Sequence, residues 1–181
     1  MENYNKNLKL LENNHVYSTE MEHDACGVGV IASTEGKKSR QIVEYGIEAL
    51  KAVWHRGAVD ADGKTGDGAG IHVEIPKDFF IEKIEVTGHD YDNAEIRVGM
   101  IFLPRNDYAA QESCKTIVES ELTKNNFSIY GWRQVPVNPK VLGDKALQTM
   151  PEIIQVLFKS NDTNLLDKKL ERKIYETRKR I

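Results

Sequence analysis

Cys26 is the residue of this sequence whose type and position most directly suggest chemistry. It stands before an apolar run, residues 27–32, and after a polar stretch, residues 1–20. A thiol attacks best as a thiolate and needs a nearby proton acceptor. If the chain is cut before Cys26, its own α-amino group, with a reference pKa of roughly 7.7 to 8.0, can serve as that base, whereas an uncut peptide nitrogen cannot. By residue type alone, a small buried hydrophobe is an equal alternative, because free cysteines are often buried.

A glycine-rich segment, residues 57–70, is the second cluster and directly follows Arg56. Its glycines permit positive φ angles and close approach of the backbone, and turn geometry alone can explain several of them. A loop with few side chains beside one arginine also suits a small amide or carboxylate substrate, because the guanidinium pairs with negative charge. Arg56 is therefore a candidate for lining or bracing a substrate site.

Three other kinds of site fail on the spacing of these motifs. A phosphate-binding loop needs a glycine where Ala58 stands, and the nearby aspartates would repel phosphates. A calcium loop that starts at Asp60 needs an acidic or amide residue where Lys64 stands. His23 and Cys26 form one closely spaced pair, but no second pair completes a zinc site. We therefore predict no metal site.

Composition limits the class of protein. The 181 residues, 40% hydrophobic and 29% charged, predict one globular domain with a real core. A net charge of -3 gives no global basic field, so we predict no nucleic-acid partner. The longest apolar stretches have only strand length, and residues 1–14 lack the apolar core of a secretory signal. We therefore predict no membrane partner and a cytoplasmic location.

The spacing of apolar residues predicts the elements that hold the two clusters. We predict strands at residues 27–32, 71–75, 96–103, 128–137 and 152–158. The predicted helices begin after Ser39 and Asp107 as N-caps, after Pro76, and at Leu165. Residues 1–20 show no such pattern and are predicted to be a leader or a loosely attached arm.

Two of these helices have a predicted buried face. After Asp107 its residues are Cys114, Ile117, Val118 and Leu122. In the last helix they are Leu166, Leu170, Ile174 and Ile181.

Several motifs together resemble a known family. They are EHDACGVG at 22–29, HRGA at 55–58, GDGAG at 66–70, GWRQVPV at 131–137, LGDKA at 142–146 and MPEIIQ at 150–155. They resemble the N-terminal part of the class II glutamine amidotransferase domain of the glutamate synthase large subunit. The resemblance covers the chain from about residue 20 onward.

The resemblance implies an α+β fold of the N-terminal nucleophile (Ntn) hydrolase type, an αββα sandwich of antiparallel sheets that is incomplete in this chain. It implies a leader, residues 1–25, whose removal makes Cys26 the N-terminus of an amidotransferase portion, residues 26–181. In the family, the thiolate attacks the side-chain amide of glutamine, and the resulting γ-glutamyl thioester is hydrolysed to glutamate and ammonia. Arg56 and Gly57 would bind substrate or brace the site.

The resemblance also implies partners outside this segment. In the family, ammonia travels to a synthase region that uses FMN and an iron-sulfur cluster, and none of these cofactors is expected within this chain. The expected partners are glutamine, the remainder of the large subunit and a small subunit. In the family, an arginine-containing strand and a His-Asn-Gly-Glu loop hold the substrate carboxylate and supply the oxyanion hole, and neither motif occurs in these 181 residues. Because the loss of such a donor costs roughly a hundred- to thousand-fold in rate, we expect the isolated chain to be weakly active or inactive.

Two alternatives stay open from the sequence. One is a non-catalytic interaction module that keeps the fold but retains residues 1–25. The other is an N-terminal cysteine amidohydrolase that acts on a different amide, such as a bile salt or a penicillin. Intact-mass analysis separates the first alternative from a processed enzyme, and a panel of amide substrates separates the second.

Overall fold

The computed structural model describes residues 2–14, 27–54, 57–66, 68–162 and 167–181. They divide into two units, Met1–Arg56 and Gly57–Ile181. The helices are α1 Glu2–Asn14, α2 Arg40–Ala52, α3 Lys77–Val86, α4 Tyr108–Lys124, α5 Asp144–Thr149 and α6 Asp167–Arg180. The strands are β1 Arg97–Leu103, β2 Phe127–Gln134 and β3 Glu152–Ser160, and a 3-10 turn spans Pro139–Val141. Within the described ranges, no helix has the length and apolar character needed to span a bilayer.

In the first unit, α2 confirms the helix predicted after Ser39. The Ser39 hydroxyl accepts a hydrogen bond from the backbone N–H of Gln41 at 3.2 Å and so satisfies one of the free donors of the first turn. Helix α1 forms where the sequence predicted an arm without regular structure. Tyr4, Leu8 and Leu11 recur at helical spacing, but three apolar residues among many polar ones are a weak signal for a helix.

The strand predicted at residues 27–32 is wrong in this structure. None of the described strands pairs with these residues, and the Val28 and Val30 side chains are 90% and 89% exposed. A strand satisfies its backbone N–H and C=O groups by pairing with a neighbour, so an apolar run without a partner stays irregular.

The second unit is built on an antiparallel three-stranded sheet in which β3 lies between β1 and β2. Strand β3 is apolar on both faces, with Val156 and Phe158 in one core and Leu157 in the other. A strand that is buried on both faces belongs in the middle of a sheet that is covered on both sides. All three strands confirm the strands predicted from residue 96 onward.

Helices α4 and α6 cover one face of this sheet. The core there consists of Val118, Leu122, Phe127, Val156, Phe158 and Leu170. As predicted, Asp107 caps α4, because its carboxylate accepts a hydrogen bond from the backbone N–H of Ala110 at 2.9 Å.

The predicted buried faces of α4 and α6 are partly wrong. The Ile117 side chain is 48% exposed, since it lies about 100° around the helix from the buried stripe of Val118 and Leu122. Ile181 is 46% exposed because it follows the end of α6. Cys114 and Ile174 are half-buried, and Leu166 lies outside the described residues.

Helix α3 covers part of the other face. It begins after Pro76, as predicted, and its Phe80 and Ile84 pack with a second core. The strand predicted at residues 71–75 is wrong, because these residues pair with none of the described strands. Of its apolar residues, Ile75 packs against this core, whereas the others are largely exposed.

The fold is thus α+β, and the described residues form one sheet of the two in the predicted sandwich. On the face that carries Leu157, strand alternation also places Met100 and Phe102, which are 48% and 64% exposed. Because α4 and α6 occupy the opposite face, the second sheet of the sandwich would pack on the face that carries Leu157, Met100 and Phe102.

A bulge in β2 is held by the end of α3. The register shifts between Ile129 and Gly131, so that Tyr130 is the extra residue. The Thr87 hydroxyl oxygen, at the C-cap of α3, lies 2.9 Å from the Tyr130 carbonyl oxygen and 2.6 Å from that of Ile84. Gly131 has a φ of 149°, and a Cβ there would lie 2.9 Å from Thr87 Cγ2. The bulge therefore requires glycine.

We predict that Gly131→Ala lowers the free energy of unfolding by about 1 to 3 kcal/mol, because alanine is strained at this φ and overlaps Thr87. Urea denaturation followed by circular dichroism measures the change. Gly70→Ala is the control, since a Cβ at Gly70 meets nothing within 4 Å and should leave stability nearly unchanged. Equal stability of the Gly131→Ala variant and the parent chain would show that the bulge does not need glycine.

Candidate active site

The structure describes only part of the predicted site. Cys26 and Arg56 lie outside the described residues, so their roles stay predictions. Gly57 is described and lies exposed at a bend of the backbone. The described part of the site is the chain that follows Arg56.

That chain folds back on itself in a closed turn formed by residues 59–66, which we call the 59–66 turn. Val59 and Gly66 form an antiparallel bridge, and the backbone N–H of Asp60 donates to the Thr65 carbonyl oxygen at 2.7 Å. Gly63, with a φ of 68°, makes the tight reversal that other residues rarely adopt. Glycine is also favoured at Gly66, where a Cβ would lie 3.1 Å from the Ala58 carbonyl oxygen.

The Asp62 carboxylate holds the turn from within. It accepts hydrogen bonds from the Lys64 backbone N–H at 2.9 Å, the Thr65 backbone N–H at 2.7 Å and the Thr65 hydroxyl at 2.5 Å. The Thr65 hydroxyl, followed by these backbone donors and a weaker one at Asp144, lowers the pKa of Asp62 to about 2. Asp62 is therefore charged at neutral pH, where it serves as an acceptor and not as a proton donor.

The 59–66 turn is docked on the start of α5. Gly143 is buried there, and a Cβ on it would clash with Asp62 Oδ2 and Thr65 Oγ1 and come within 2.6 Å of the Thr65 backbone nitrogen. Lys145, in the first turn of α5, forms an ion pair with Asp60 at 2.5 Å. Contact at Gly143 and charge at Lys145 thus fix the turn on α5.

Sequence reasoning missed Asp62 and Gly143 as residues that organise the site. Gly143 stands in the LGDKA motif, and Asp62 lies between the HRGA and GDGAG motifs. The contact between them joins segments about 80 positions apart along the chain. The local signal was the Asp-Gly-Lys-Thr sequence at residues 62–65, which is typical of a turn closed by an aspartate side chain. Nothing in that pattern indicates where the turn docks.

A second charged cluster lies beside the bulge of β2. The Asp92 carboxylate pairs with the Lys159 ammonium and accepts a hydrogen bond from the buried Tyr130 hydroxyl at 2.5 Å. The Lys159 and then the Tyr130 hydrogen bond lower the pKa of Asp92 to about 2. Burial, and then the bond to Asp92, raise the pKa of Tyr130, so its phenol stays protonated at neutral pH. The cluster is suited to holding the bulge, not to proton transfer.

The described residues offer no metal centre. Among them, no three His, Cys, Asp or Glu side chains come together as a metal site would require. Cys114, the one cysteine among the described residues, is half-buried on α4 as a free thiol.

Comparisons with known proteins place this geometry in context. A family profile described as class-II glutamine amidotransferases matches residues 26–181. The glutamate synthase [NADPH] large chain of Azospirillum brasilense is 51% identical over 178 residues, which cover 98% of this chain and 12% of that protein. The ferredoxin-dependent glutamate synthase of Pyropia yezoensis is 39% identical over 174 residues, 96% of this chain and 11% of that protein. The chain thus spans only 11–12% of the length of these relatives.

We predict that Asp92→Asn weakens the fold in a pH-dependent way. The folded-state pKa of Asp92 lies below its ordinary value of 3.8, so its stabilising contribution is present above that value and is lost as the pH falls towards about 2. The difference in unfolding free energy between parent and variant should therefore be constant from pH 5 to 7 and shrink below about pH 4. Urea unfolding at each pH measures it.

Asp90→Asn is the matched control, because Asp90 is exposed in the same loop and its substitution removes the same charge. It should give no comparable loss at neutral pH. A difference for Asp92→Asn that stays the same down to pH 2 would contradict the assignment of the lowered pKa.

Proposed function

Because the chain belongs to the class II glutamine amidotransferase family, an enzyme family with the Ntn fold, we propose that it carries the glutaminase half-reaction of a glutamate synthase. The observation that carries the proposal is the start of the family match. The match begins at residue 26, the cysteine that the sequence analysis assigns as nucleophile. The 51% identity to a glutamate synthase large chain favours glutamine over other amides.

In the proposed reaction, removal of residues 1–25 gives Cys26 a free α-amino group, which takes the thiol proton. The thiolate adds to the side-chain amide carbon of glutamine, the C–N bond breaks, and the α-ammonium group gives its proton to the nitrogen that leaves as ammonia. Water then adds to the γ-glutamyl thioester, the C–S bond breaks, and glutamate and the thiol are released. Arg56 and Gly57 would bind the substrate or brace the site, Arg56 through its charge and Gly57 through close approach of the backbone.

The proposal extends to the whole protein only through its relatives. Their names give different electron donors, NADPH in one and ferredoxin in the other. We propose that ammonia from this site is used in a synthase region with FMN and an iron-sulfur cluster, with the rest of the large subunit and a small subunit as partners. Two cysteines are too few to supply the four thiolates that such a cluster usually takes, so the cluster would lie outside these 181 residues. We propose a cytoplasmic location for the protein.

The test is the full-length protein with and without the nucleophile. We predict that its mature N-terminus is Cys26 by intact-mass analysis and that it releases ammonia from glutamine. Cys26→Ala should lower kcat by about a thousandfold or more, because no other group replaces the thiolate.

Cys114→Ala is the matched control, since it removes the other cysteine of the sequence and should keep most of the activity. Hydrolysis of glutamine by a protein that retains residues 1–25, or by the Cys26→Ala variant, would overturn the mechanism. Retention of residues 1–25 without any amide hydrolysis would favour the interaction module.

A further inference from the structure

Helix α3 covers the sheet face around Leu157 and leaves the next part of that face exposed. The strand register places Met100, Gln155 and Arg133 side by side across β1, β3 and β2 on this face. Phe102 follows two residues further along β1 on the same face. The Met100 and Phe102 side chains are 48% and 64% exposed. We call these four residues, Met100, Phe102, Arg133 and Gln155, the open half-face.

Arg133 is the charged member of the open half-face, and its contacts are neutral. Its Nη1 donates a hydrogen bond to Gln155 Oε1 at 2.7 Å, and its guanidinium carbon lies 5.1 Å from the centre of the Phe79 ring. Gln155 Nε2 lies 3.1 Å from Met100 Sδ, so the amide is held between the two neighbouring strands. Within the described ranges, none of the ion pairs includes Arg133.

A layer packed on the open half-face would bury the charge of Arg133. A guanidinium stays protonated throughout the pH range of proteins, so it cannot become neutral when it is buried. Its hydrogen bond to Gln155 uses one of five N–H groups and supplies no opposite charge. Because an unpaired buried charge is strongly destabilising, the covering layer must bring an anion to this point. Among side chains, a carboxylate matches the two-pronged guanidinium best.

The covering layer itself follows from the family fold, whose second sheet would pack on this face. The family match begins at the candidate nucleophile and reaches residue 181, and the chain spans only 11–12% of the length of its relatives. We propose that an aspartate or glutamate in the chain that follows Ile181 in the full-length protein forms an ion pair with Arg133 when that chain covers the open half-face. This pairing does not depend on the proposed glutaminase reaction.

Zero-length crosslinking of the full-length protein tests the pairing. Arg133→Lys keeps the positive charge and provides an amine, which a carbodiimide joins through an amide bond to a carboxylate within ion-pair distance. Peptide mass spectrometry should find position 133 joined to an aspartate or glutamate from the chain that follows Ile181. The parent protein is the reference and should lack this crosslink, because an arginine side chain does not form the amide.

Removal of the charge provides a second measurement on the full-length protein. Arg133→Met keeps an apolar stem but leaves the partner carboxylate unpaired, so native-state proteolysis should become on the order of a hundredfold faster. Changing the crosslinked carboxylate to its amide in the Arg133→Met protein should reverse most of this increase, because no unpaired charge then remains. Arg105→Met is the matched control, since Arg105 is exposed in the loop after β1 and its loss should leave proteolysis unchanged.

The pairing is wrong if no crosslink forms at position 133. It is also wrong if Arg133→Met is cleaved no faster than Arg105→Met, because the guanidinium then lies in solvent and needs no partner. A crosslink formed only with a carboxylate within residues 1–181, or with another protein chain, would overturn the assignment of the partner to the chain that follows Ile181.

Discussion

The burial of β3 on both faces is the constraint on which the second unit depends. Each neighbour of this strand supplies one antiparallel ladder, so its backbone is satisfied, but its apolar side chains must still be covered above and below the sheet. Helices α4 and α6 cover Val156 and Phe158, and α3 covers Leu157. The bulge of β2 follows from the second of these requirements, because it brings Tyr130 into the core under α3.

The candidate site is held by a different kind of force. The 59–66 turn is exposed and is fixed by a carboxylate, a hydroxyl and a close contact with a glycine. Polar contacts of this type fix local geometry but contribute little to global stability. A rigid core that carries a polar, glycine-rich loop is the usual arrangement for a binding site, because the loop can be shaped for a ligand without weakening the fold.

The sequence was sufficient where local signals and burial agree. The caps at Ser39 and Asp107, and the strands from residue 96 onward, were predicted because each has both a start signal and an apolar pattern. The strands at 27–32 and 71–75 failed because an apolar run does not reveal whether a partner strand is available. Helix α1 was missed because only Tyr4, Leu8 and Leu11 mark its apolar side, and this short pattern is a weak signal among the polar residues around it.

The same distinction holds for the site. The chemistry proposed for Cys26 rests on the residue type and on the family to which the chain belongs, and not on a contact. The docking of Asp62 and Thr65 on Gly143, in contrast, joins distant parts of the chain and has no sequence signal. Local composition therefore predicts what a site can do, and tertiary contacts decide which residues hold it in place.

Formation of a thioester between glutamine and Cys26, as the N-terminal residue, is the step on which the proposed reaction depends. Acid quenching of the full-length protein during turnover, followed by peptide mass spectrometry, tests it most directly. We expect an N-terminal peptide that begins at Cys26 and carries a glutamyl group, which hydroxylamine removes. A peptide that still contains the Ala25–Cys26 bond would contradict this reaction. So would an unmodified Cys26 during glutamine hydrolysis under conditions in which breakdown of the thioester is the slow step.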